Sequence, residues 1–289
     1  MSNGLTVIIP CKNEIKNIRD CVESVRALAD EILVADSGST DGTLEWVRSD
    51  ADCRVVEREF VDSGDFKNWA IPQATHPWVF ILDADERIPN QLATEIRQVL
   101  QQPSTRDAYW IYRRNYYMGH PLTHTSWGRD KVIRLFQRDR GRYLPYTDHS
   151  EIELPSSDVG TLQNRLLHFS CRDFDAYLNK MIRYAKQQSA LWVHQGRRPS
   201  YLKTVCNGPL RFLRSYIVEL GILDGVPGFH VSMLTGFYSF LKQLYLWQHY
   251  YSRPLVETEI RAKREVSSMR EHRETSQLSE AERALHATS

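Results

Sequence analysis

The sequence predicts an α/β fold: a mostly parallel sheet with helices on both faces, followed by a C-terminal helical extension. Two observations predict this class. From residue 5 onward, short apolar runs alternate with segments of helical periodicity, which is typical of βαβ units. From Asp173 onward, apolar residues recur at helical spacing, so the last third is expected to be helical.

The composition supports one sizeable domain with an extension. The 289 residues are 42% apolar and carry a formal net charge of +1. These values exclude wholesale disorder and give no global electrostatic reason to expect nucleic-acid binding. The five cysteines are odd in number and scattered, so neither a disulfide framework nor a paired zinc motif is expected. No basic leader and no apolar run of roughly 18 to 20 residues is found, so we expect a cytoplasmic chain that does not cross a membrane.

Four apolar runs are predicted to be the first strands, namely LTVIIP from residue 5, EILVAD from 31, CRVVER from 53 and WVFILD from 78. Three of them have uninterrupted apolar cores, which suit strands buried on both faces. Helices are predicted between them, at residues 15–28, 43–47 and 66–74. Beyond a helix that Pro89 opens, residues 107–114 and 131–138 are predicted strands that flank a loop suited to substrate contacts.

Polar residues follow three of these strands at the edge where open α/β sheets bind ligands. Asn13 and Glu14 follow the first strand, Asp36 ends the second, and Asp83 and Asp85 follow the fourth. We therefore expect these side chains to converge on one crevice. Two carboxylates one residue apart can share Mg²⁺ or Mn²⁺, although acidic residues before a helix are also typical of N-caps. Together, the polar residues at the ends of these three strands favour a nucleotide-sized site.

The segments VIIPCKNE, ADSGSTDGT and FILDADE, in this order and spacing, resemble the nucleotide-sugar-binding half of the family 2 glycosyltransferases, which have the GT-A fold. Later segments, including RLFQR, LLHFS and RFLRSYIVELGILDGVPGFH, are similar to the subgroup that contains the lipopolysaccharide inner-core β-1,4-glucosyltransferases. The resemblance covers roughly residues 4–252. It implies inverting, metal-dependent transfer of a hexose from a nucleotide-diphosphate sugar, expected to be UDP-linked, to an anionic or membrane-associated glycan.

The resemblance also implies roles for individual residues. Those expected to contact the donor nucleotide are Pro10, Asn13, Glu14, Asp36, Lys67 and Asp83. Those expected to bind Mg²⁺ or Mn²⁺ are Asp85, Asp83 and His168. A lone histidine beside apolar residues is equally typical of a hydrogen-bonded core position, so the role of His168 stays open here.

An inverting transferase needs a carboxylate that activates the acceptor hydroxyl. The resembled subgroup carries a His-Glu pair after the RLF strand, and the matching stretch here is YTDHSEIE, residues 146–153. Because Ser150 follows His149, the general base is either Asp148 or Glu151, with Glu151 slightly favoured. Alternating polar residues are also typical of the solvent face of a strand.

Two features of the C-terminal third predict contact with an anionic surface. Residues 161–214 contain ten Lys or Arg against two Asp. Residues 233–251 place one stripe of large apolar side chains at helical spacing: Met233, Phe237, Phe240, Leu241, Leu244 and Trp247. Such a pattern suits a peripheral position on anionic lipid at the inner face of the cytoplasmic membrane, and the alternatives are a solvated face and packing onto the catalytic domain.

We therefore expect three regions: residues 1–170 as the nucleotide-sugar-binding and catalytic domain, 171–254 as a helical region for acceptor or membrane, and 255–289 as a charged tail. Two other functions stay open. One is transfer to a polyprenyl phosphate, and the other is non-catalytic glycan binding on the same fold. All the expected carboxylates are present, which favours an enzyme.

Overall fold

The computed structural model describes residues 4–102, 106–144, 152–154, 158–171 and 173–252. The strands are β1 Leu5–Cys11, β2 Glu31–Asp36, β3 Cys53–Glu57, β4 Trp78–Ile81, β5 Glu86–Arg87, β6 Ala108–Tyr117, β7 His120–Pro121, β8 Lys131–Gln137, β9 Arg142–Tyr143, β10 Ile152–Glu153, β11 Val159–Thr161 and β12 Leu166–Cys171. The helices are α1 Ile18–Glu23, α2 Thr43–Ser49, α3 Ser63–Ala70, α4 Asn90–Gln101, α5 Thr125–Gly128, α6 Phe174–His194, α7 Tyr201–Leu213 and α8 Gly225–Tyr251.

One large sheet has the strand order β3-β2-β1-β4-β8-β6-β12-β5. The first four strands pair in parallel, as predicted, and their carboxyl ends lie at one edge. Strand β8 runs antiparallel to both β4 and β6, whereas β12 is parallel to β6. The sheet is therefore mixed, with a parallel half in which β1 lies between β2 and β4.

Helices cover both faces of the sheet, which explains the uninterrupted apolar runs of the strands. On one face, Val7 and Val34 pack in a core that includes Ile18 of α1 and Leu92 of α4. On the other face, a second core joins the strands to α3 and to the short 3₁₀ helix Ile71–Gln73 that follows it. Strands buried on both faces need apolar residues at every position. The predicted α/β class is confirmed.

Helix α4 shows how the sequence specifies one of these covering elements. Its N-cap is Pro89, the residue predicted to open a helix, and Pro is compatible with a helix start because its missing N–H has no intrahelical partner there. Leu92, Ile96 and Leu100 recur every four residues and are all buried. This spacing places them on the face that packs against the sheet.

The C-terminal extension consists of α6, α7 and α8. The Asp173 side chain caps α6 by accepting hydrogen bonds from the backbone N–H groups of Asp175 and Ala176, at 2.9 and 3.3 Å. Between α7 and α8 the chain passes through a π-helical turn and a 3₁₀ turn, Arg214–Val218 and Gly221–Asp224. Of the two residues between these turns, Leu220 has φ 61°, a left-handed conformation that aliphatic residues rarely adopt.

The extension is attached to the loop that follows β6. Tyr117 and Leu122 form a small core with Val231 of α8. The backbone N–H of Thr125 donates to the Glu219 carbonyl at 2.9 Å. The sheet and the helical extension are thus joined by apolar packing and by a backbone hydrogen bond. The predicted tail, residues 255–289, lies outside the described residues.

In the part of the chain that the structure describes, no single helix combines the length and apolar character needed to cross a membrane. The segments Tyr201–Val218 and Gly221–Tyr251 meet these criteria only when taken together, across a bend of 72°.

Candidate active site

The loop after β2 is organised by Asp36, which is fully buried. One carboxylate oxygen accepts hydrogen bonds from the backbone N–H groups of Gly38 and Ser39, both at 2.8 Å. The other oxygen accepts from the Ser39 hydroxyl and from the Cys11 thiol. Gly38 has φ 89°, a conformation that glycine adopts without strain. Both oxygens of Asp36 are thus engaged by the β2–α2 loop and by Cys11, and its predicted contact with the donor nucleotide stays a prediction.

The loops after β1 and β2 are bonded to each other. Asn13 has φ 57°, its backbone N–H donates to the Ser39 hydroxyl at 2.8 Å, and its side-chain oxygen accepts from the Thr40 N–H at 2.8 Å. Pro10 pairs in register with Ala35 of β2. The structure thus brings together residues predicted from two separate motifs, and their roles toward a donor stay predictions.

Glu14 links this edge to the motif after β4. Its backbone N–H donates to the Thr43 hydroxyl, and its carboxylate accepts from the Asn17 amide at 2.7 Å. Burial raises the pKa of Glu14, and the negative charge of Asp85 adds to this rise, against the hydrogen bond from Asn17. An effect of the Asp85 charge on Glu14 requires the two carboxylates to lie near each other, and their predicted convergence on one donor site stays a prediction.

Asp83 lies between two buried cations. Its Oδ1 lies 3.2 Å from Lys67 Nζ of α3, and its Oδ2 pairs with Arg134 Nη2 of β8. Burial by itself raises the pKa of Asp83, but the charges of Arg134 and Lys67 outweigh it and hold that pKa well below its usual range. Burial in turn lowers the pKa of Lys67. Both carboxylate oxygens of Asp83 therefore have a cationic side chain as partner, whereas a metal ligand needs an oxygen that is free to face the ion.

Sequence reasoning missed the residue at the centre of this charge cluster. Glu86 directly follows Asp85, is fully buried, and accepts from Arg134 Nη2 at 2.8 Å and from Arg113 Nη1 at 3.2 Å. It also accepts from the Asp83 backbone N–H at 3.1 Å. A buried carboxylate is retained only where cations and donors compensate its lost hydration. The sequence offered one indication of Glu86, since it is the third acidic residue in FILDADE. Its partners Arg113 and Arg134 lie 27 and 48 residues further along the chain.

Asp85 faces His168, which lies on β12. The distance between Asp85 Oδ2 and His168 Nε2 is 3.5 Å. On the other side of the ring, His168 Nδ1 lies 2.6 Å from the Asn115 side-chain oxygen. The Asn115 amide nitrogen donates to the Trp127 carbonyl at 2.7 Å and to Asp130 Oδ2 at 3.0 Å, which determines how the amide is oriented.

This orientation assigns the proton on the histidine. Because Asn115 presents only its oxygen to the ring, His168 Nδ1 must carry the hydrogen. In the neutral ring, the lone pair then lies on Nε2 and faces Asp85. Burial by itself raises the pKa of Asp85, but a His168 ring that carries a hydrogen on both nitrogens donates to Asp85 and is positively charged, and these two effects outweigh burial and lower that pKa. Sequence reasoning singled out His168 and Asp85 but missed Asn115, whose partners come from separate segments.

A carboxylate and an imidazole lone pair at this distance fit a divalent cation such as Mn²⁺. Among the described residues, no three His, Cys, Asp or Glu side chains cluster closely enough to form a larger ligand set. A cation here would therefore take two ligands from Asp85 and His168. The remaining positions suit water and the oxygens of a diphosphate.

The two candidate bases, Asp148 and Glu151, lie outside the described residues. Their segment connects β9 to β10, which pair antiparallel. Strand β9 is held beside the charge cluster, since the Asn68 amide exchanges two hydrogen bonds of 2.8 Å with the backbone of Tyr143. Lys67 Nζ also lies 5.2 Å from the centre of the Tyr143 ring.

Two solved structures are similar to this chain. One is TarS of S. aureus in complex with UDP-GlcNAc, with a TM-score of 0.47 and 14% identity, covering 86% of this chain and 93% of that one. Another is the mannosyltransferase PcManGT from Pyrobaculum calidifontis in complex with GDP-Man and Mn²⁺, with a TM-score of 0.44 and 17% identity, covering 91% and 80%.

The sequence comparisons identify the family. The model of glycosyl transferase family 2 matches residues 6–153. The lipopolysaccharide core biosynthesis glycosyltransferase LpsC of Rhizobium meliloti (strain 1021) is 31% identical over 261 residues, which cover 88% of this chain and 96% of LpsC. The prediction of a glycosyltransferase is thereby confirmed. With a family match across half of its length and a relative this similar along almost all of it, the chain belongs to family 2 of the glycosyl transferases.

Proposed function

We propose that this transferase moves a hexose from a UDP-linked sugar to an anionic, membrane-associated glycan of the lipopolysaccharide-core type, with inversion and with Mg²⁺ or Mn²⁺ as cofactor. The observation that carries the proposal is the pairing of Asp85 with His168, whose Nδ1 faces the Asn115 oxygen and whose Nε2, the ring atom left to bind a cation, faces Asp85. LpsC, which is similar to this chain along most of its length, is a lipopolysaccharide core biosynthesis glycosyltransferase, and this supports the acceptor class.

In this proposal Asp85 and His168 hold the cation at the edge of the sheet. A bound cation supplies charge neutralisation for the departing nucleoside diphosphate. Asn115 keeps the proton on His168 Nδ1, and Asp130 keeps the Asn115 amide in the required orientation. The work of these residues is therefore to present a preformed ligand pair, which lowers the cost of ordering the site when the donor binds.

Asp83 has a different role in this proposal. Its ion pairs hold Lys67 and Arg134 at the same edge, although both cations are buried. A positively charged side chain held in place favours a phosphate without further ordering. We assign Lys67 to the donor phosphates and Asp83 to holding Lys67, with the ribose as the further partner expected for Asp83. Glu151 or Asp148 remains the predicted base.

The donor and the cation are tested together by isothermal titration. We expect a UDP-linked hexose to bind only when Mn²⁺ or Mg²⁺ is present, because the diphosphate otherwise meets the uncompensated charge of Asp85. Asp85→Asn should remove this binding. The matched control is Asp139→Asn, which changes an exposed carboxylate in the turn after β8. Metal-independent binding, or full binding by Asp85→Asn, would show that the assignment is wrong.

The acceptor is tested by transfer of radiolabelled hexose. We expect label in lipopolysaccharide core oligosaccharide, with a β linkage from an α-linked donor as inversion requires. Label recovered instead in a polyprenyl phosphate would favour the alternative acceptor. Transfer with retained configuration would contradict the inverting mechanism.

A further inference from the structure

The bend between α7 and α8 exposes an unusual number of aliphatic side chains. We call this group the apolar elbow, and it consists of Leu213, Ile217, Val218, Leu220, Ile222, Leu223 and Val226. Val218 is 74% exposed and Leu223 is 63% exposed. Soluble proteins rarely leave contiguous aliphatic surface open to water unless it binds something.

The charges around the apolar elbow are sorted by sign. Residues 211–230 contain two acidic residues, and both point inward. The Glu219 side chain is 9% exposed and pairs with Arg211 and Arg214, whereas the Arg214 side chain itself is 66% exposed. Asp224 is 4% exposed and accepts from His124 Nδ1 at 2.8 Å. The elbow therefore presents aliphatic and basic groups outward and keeps its acids inside.

The same sign excess extends along the helical extension. Residues 176–252 contain nine Lys or Arg against these two acids. An aliphatic protrusion with surrounding basic residues matches the two layers of an anionic bilayer surface, which are acyl chains below and phosphates above. A protein that bound this surface would need an apolar pocket of matching shape with acidic residues around it. A bilayer surface is deformable and needs no pocket of matching shape.

The predicted aromatic stripe is a weaker candidate for this contact. Phe240 of the stripe is half-buried, and its Cβ lies 3.5 Å from the position of a Cβ added to Gly208 of α7. Met233, Phe237, Leu244 and Trp247 are exposed. The stripe thus serves partly as helix–helix packing, and the most exposed aliphatic residues lie at the bend before it.

The elbow is joined to the candidate active site by one short loop. Thr125 of this loop donates its N–H to the Glu219 carbonyl, and His124 bonds to Asp224. Two residues later, the Trp127 carbonyl accepts from Asn115, which orients His168. Residues 123–128 therefore connect the bend to Asn115 by hydrogen bonds, and Asn115 bonds to His168 of the ligand pair.

We infer that the apolar elbow inserts into the surface of an anionic bilayer as a one-sided anchor. In this position the loop of residues 123–128 and the ligand pair, Asp85 and His168, are held at a fixed distance from the lipid headgroups. This deepens the proposed function and rests on it, because an anchored site suits an acceptor that is itself embedded in the membrane. The elbow enters one leaflet only.

The test is co-sedimentation of the full chain with vesicles. We expect the wild type to pellet with vesicles of phosphatidylcholine and phosphatidylglycerol, and much less with phosphatidylcholine alone. The double variant Val218→Glu, Leu223→Glu should lower partitioning by at least about tenfold, because two inserted aliphatic groups become carboxylates. Both positions are exposed, so the fold should be retained, and circular dichroism checks this.

The matched control is the double variant Phe60→Glu, Val61→Glu, which places the same two charges on apolar residues that are 48% and 68% exposed in the catalytic half. We expect it to pellet like the wild type. Equal loss in the control, or no vesicle binding by the wild type, would overturn the inference. A concentration-dependent dimer that the double variant abolishes would assign the elbow to a second copy of the chain instead.

Donor titration separates this inference from the proposed function. The double variant should bind a UDP-linked hexose with Mn²⁺ as the wild type does. If no donor binds the wild type but vesicle binding depends on Val218 and Leu223, the proposed function fails and the anchor stands. If donor binding and transfer to a detergent-dispersed acceptor are normal but no vesicle is bound, the anchor fails and the function stands.

Discussion

At the scale of single residues, the main result is that His168 is oriented by an amide rather than by a carboxylate. Asn115 accepts the Nδ1 proton and is itself held by Asp130 and the Trp127 carbonyl. A neutral acceptor adds no negative charge beside Asp85. The proton position on His168 therefore depends on three contacts from outside its own strand.

Asn115→Leu tests this dependence, since leucine has nearly the same shape but cannot accept the proton. We expect the concentration of Mn²⁺ that gives half-maximal activity to rise by about 10- to 100-fold, as is typical when a group that orients a metal ligand is lost. Activity at saturating Mn²⁺ should recover in large part. A variant that is merely less stable would show a lower melting temperature with an unchanged Mn²⁺ midpoint, and that result would refute the positioning role.

At the scale of secondary-structure elements, β2 is attached at its first residue by one carboxylate. Glu31 accepts from the Thr6 hydroxyl of β1 at 2.6 Å, from the Thr75 N–H and hydroxyl at 2.8 Å, and from Arg54 of β3. Burial by itself raises the pKa of Glu31, but these hydrogen bonds outweigh it and lower that pKa to about 2. One side chain thus ties β1, β3 and the segment before β4 to the start of β2.

The stability of the fold should depend on pH through Glu31. A folded-state pKa below the unfolded value stabilises the protein above the unfolded value, 4.5, and this contribution is lost as pH falls toward about 2. We expect Glu31→Gln to lower the free energy of unfolding by roughly 1 to 3 kcal/mol at pH 7, with a smaller difference at pH 3. Urea denaturation at the two pH values measures it. A difference that does not change with pH would rule out the ionised carboxylate as its source.

Helices α7 and α8 touch where two glycines meet. A Cβ added to Gly236 would lie 2.8 Å from the Gly208 carbonyl oxygen, a distance that requires the backbones to separate. A Cβ added to Gly208 would meet the Gly236 carbonyl at 3.4 Å and the Phe240 Cβ at 3.5 Å, which is ordinary contact. A methyl group therefore requires the backbone to move at Gly236 but has room at Gly208.

Substitution of each glycine by alanine tests this difference in available space. We expect Gly236→Ala to destabilise the protein by about 1 to 3 kcal/mol, the usual cost of overpacking. Gly208→Ala should be neutral or stabilising by up to about 1 kcal/mol, because alanine favours helix. Thermal unfolding of the two variants provides the comparison. Equal destabilisation by both would mean that the close approach at Gly236 is not what limits the packing.

At the scale of the whole molecule, the helical extension and the sheet are coupled through Asp224. Its carboxylate accepts from the N–H groups of Thr123 and His124, from the Thr123 hydroxyl and from His124 Nδ1. Burial by itself raises the pKa of Asp224, but these hydrogen bonds outweigh it and lower that pKa, so the group is ionised at neutral pH. The extension is thereby fixed to the loop that also reaches Asn115.

Asp224→Ala should loosen this connection without unfolding the sheet. We expect faster amide hydrogen exchange in residues 119–128 and 219–226, since a charged acceptor of several hydrogen bonds is lost. Exchange in β1 and β4 should be unchanged. Donor binding should be retained, whereas transfer to vesicle-bound acceptor should fall. Unchanged exchange in the loop would mean that backbone bonding through Thr125 is sufficient by itself.

The sequence by itself determined the parallel half of the sheet, the family, and the edge at which the candidate site lies. Apolar runs such as those of β1 and β4 form buried strands in any sheet with helices on both faces, and polar residues after them must lie at the carboxyl edge. It also placed Asp85 and His168 among the candidate ligands. The strands and the edge follow from local periodicity, whereas the family and the two candidate ligands follow from the resemblance of short motifs to family 2 glycosyltransferases.

Only the tertiary structure decided what each polar side chain contacts. Asp36 and Asn13 are engaged by the β2–α2 loop, Asp83 is paired with two cations, and His168 is oriented by Asn115. The partners of Asp83 and His168 lie 16 to 83 residues away along the chain, a separation at which local periodicity carries no information about pairing. The apolar elbow was likewise hidden in the sequence. Whether an aliphatic residue is buried or exposed depends on which helices pack together, and that is set by the whole fold.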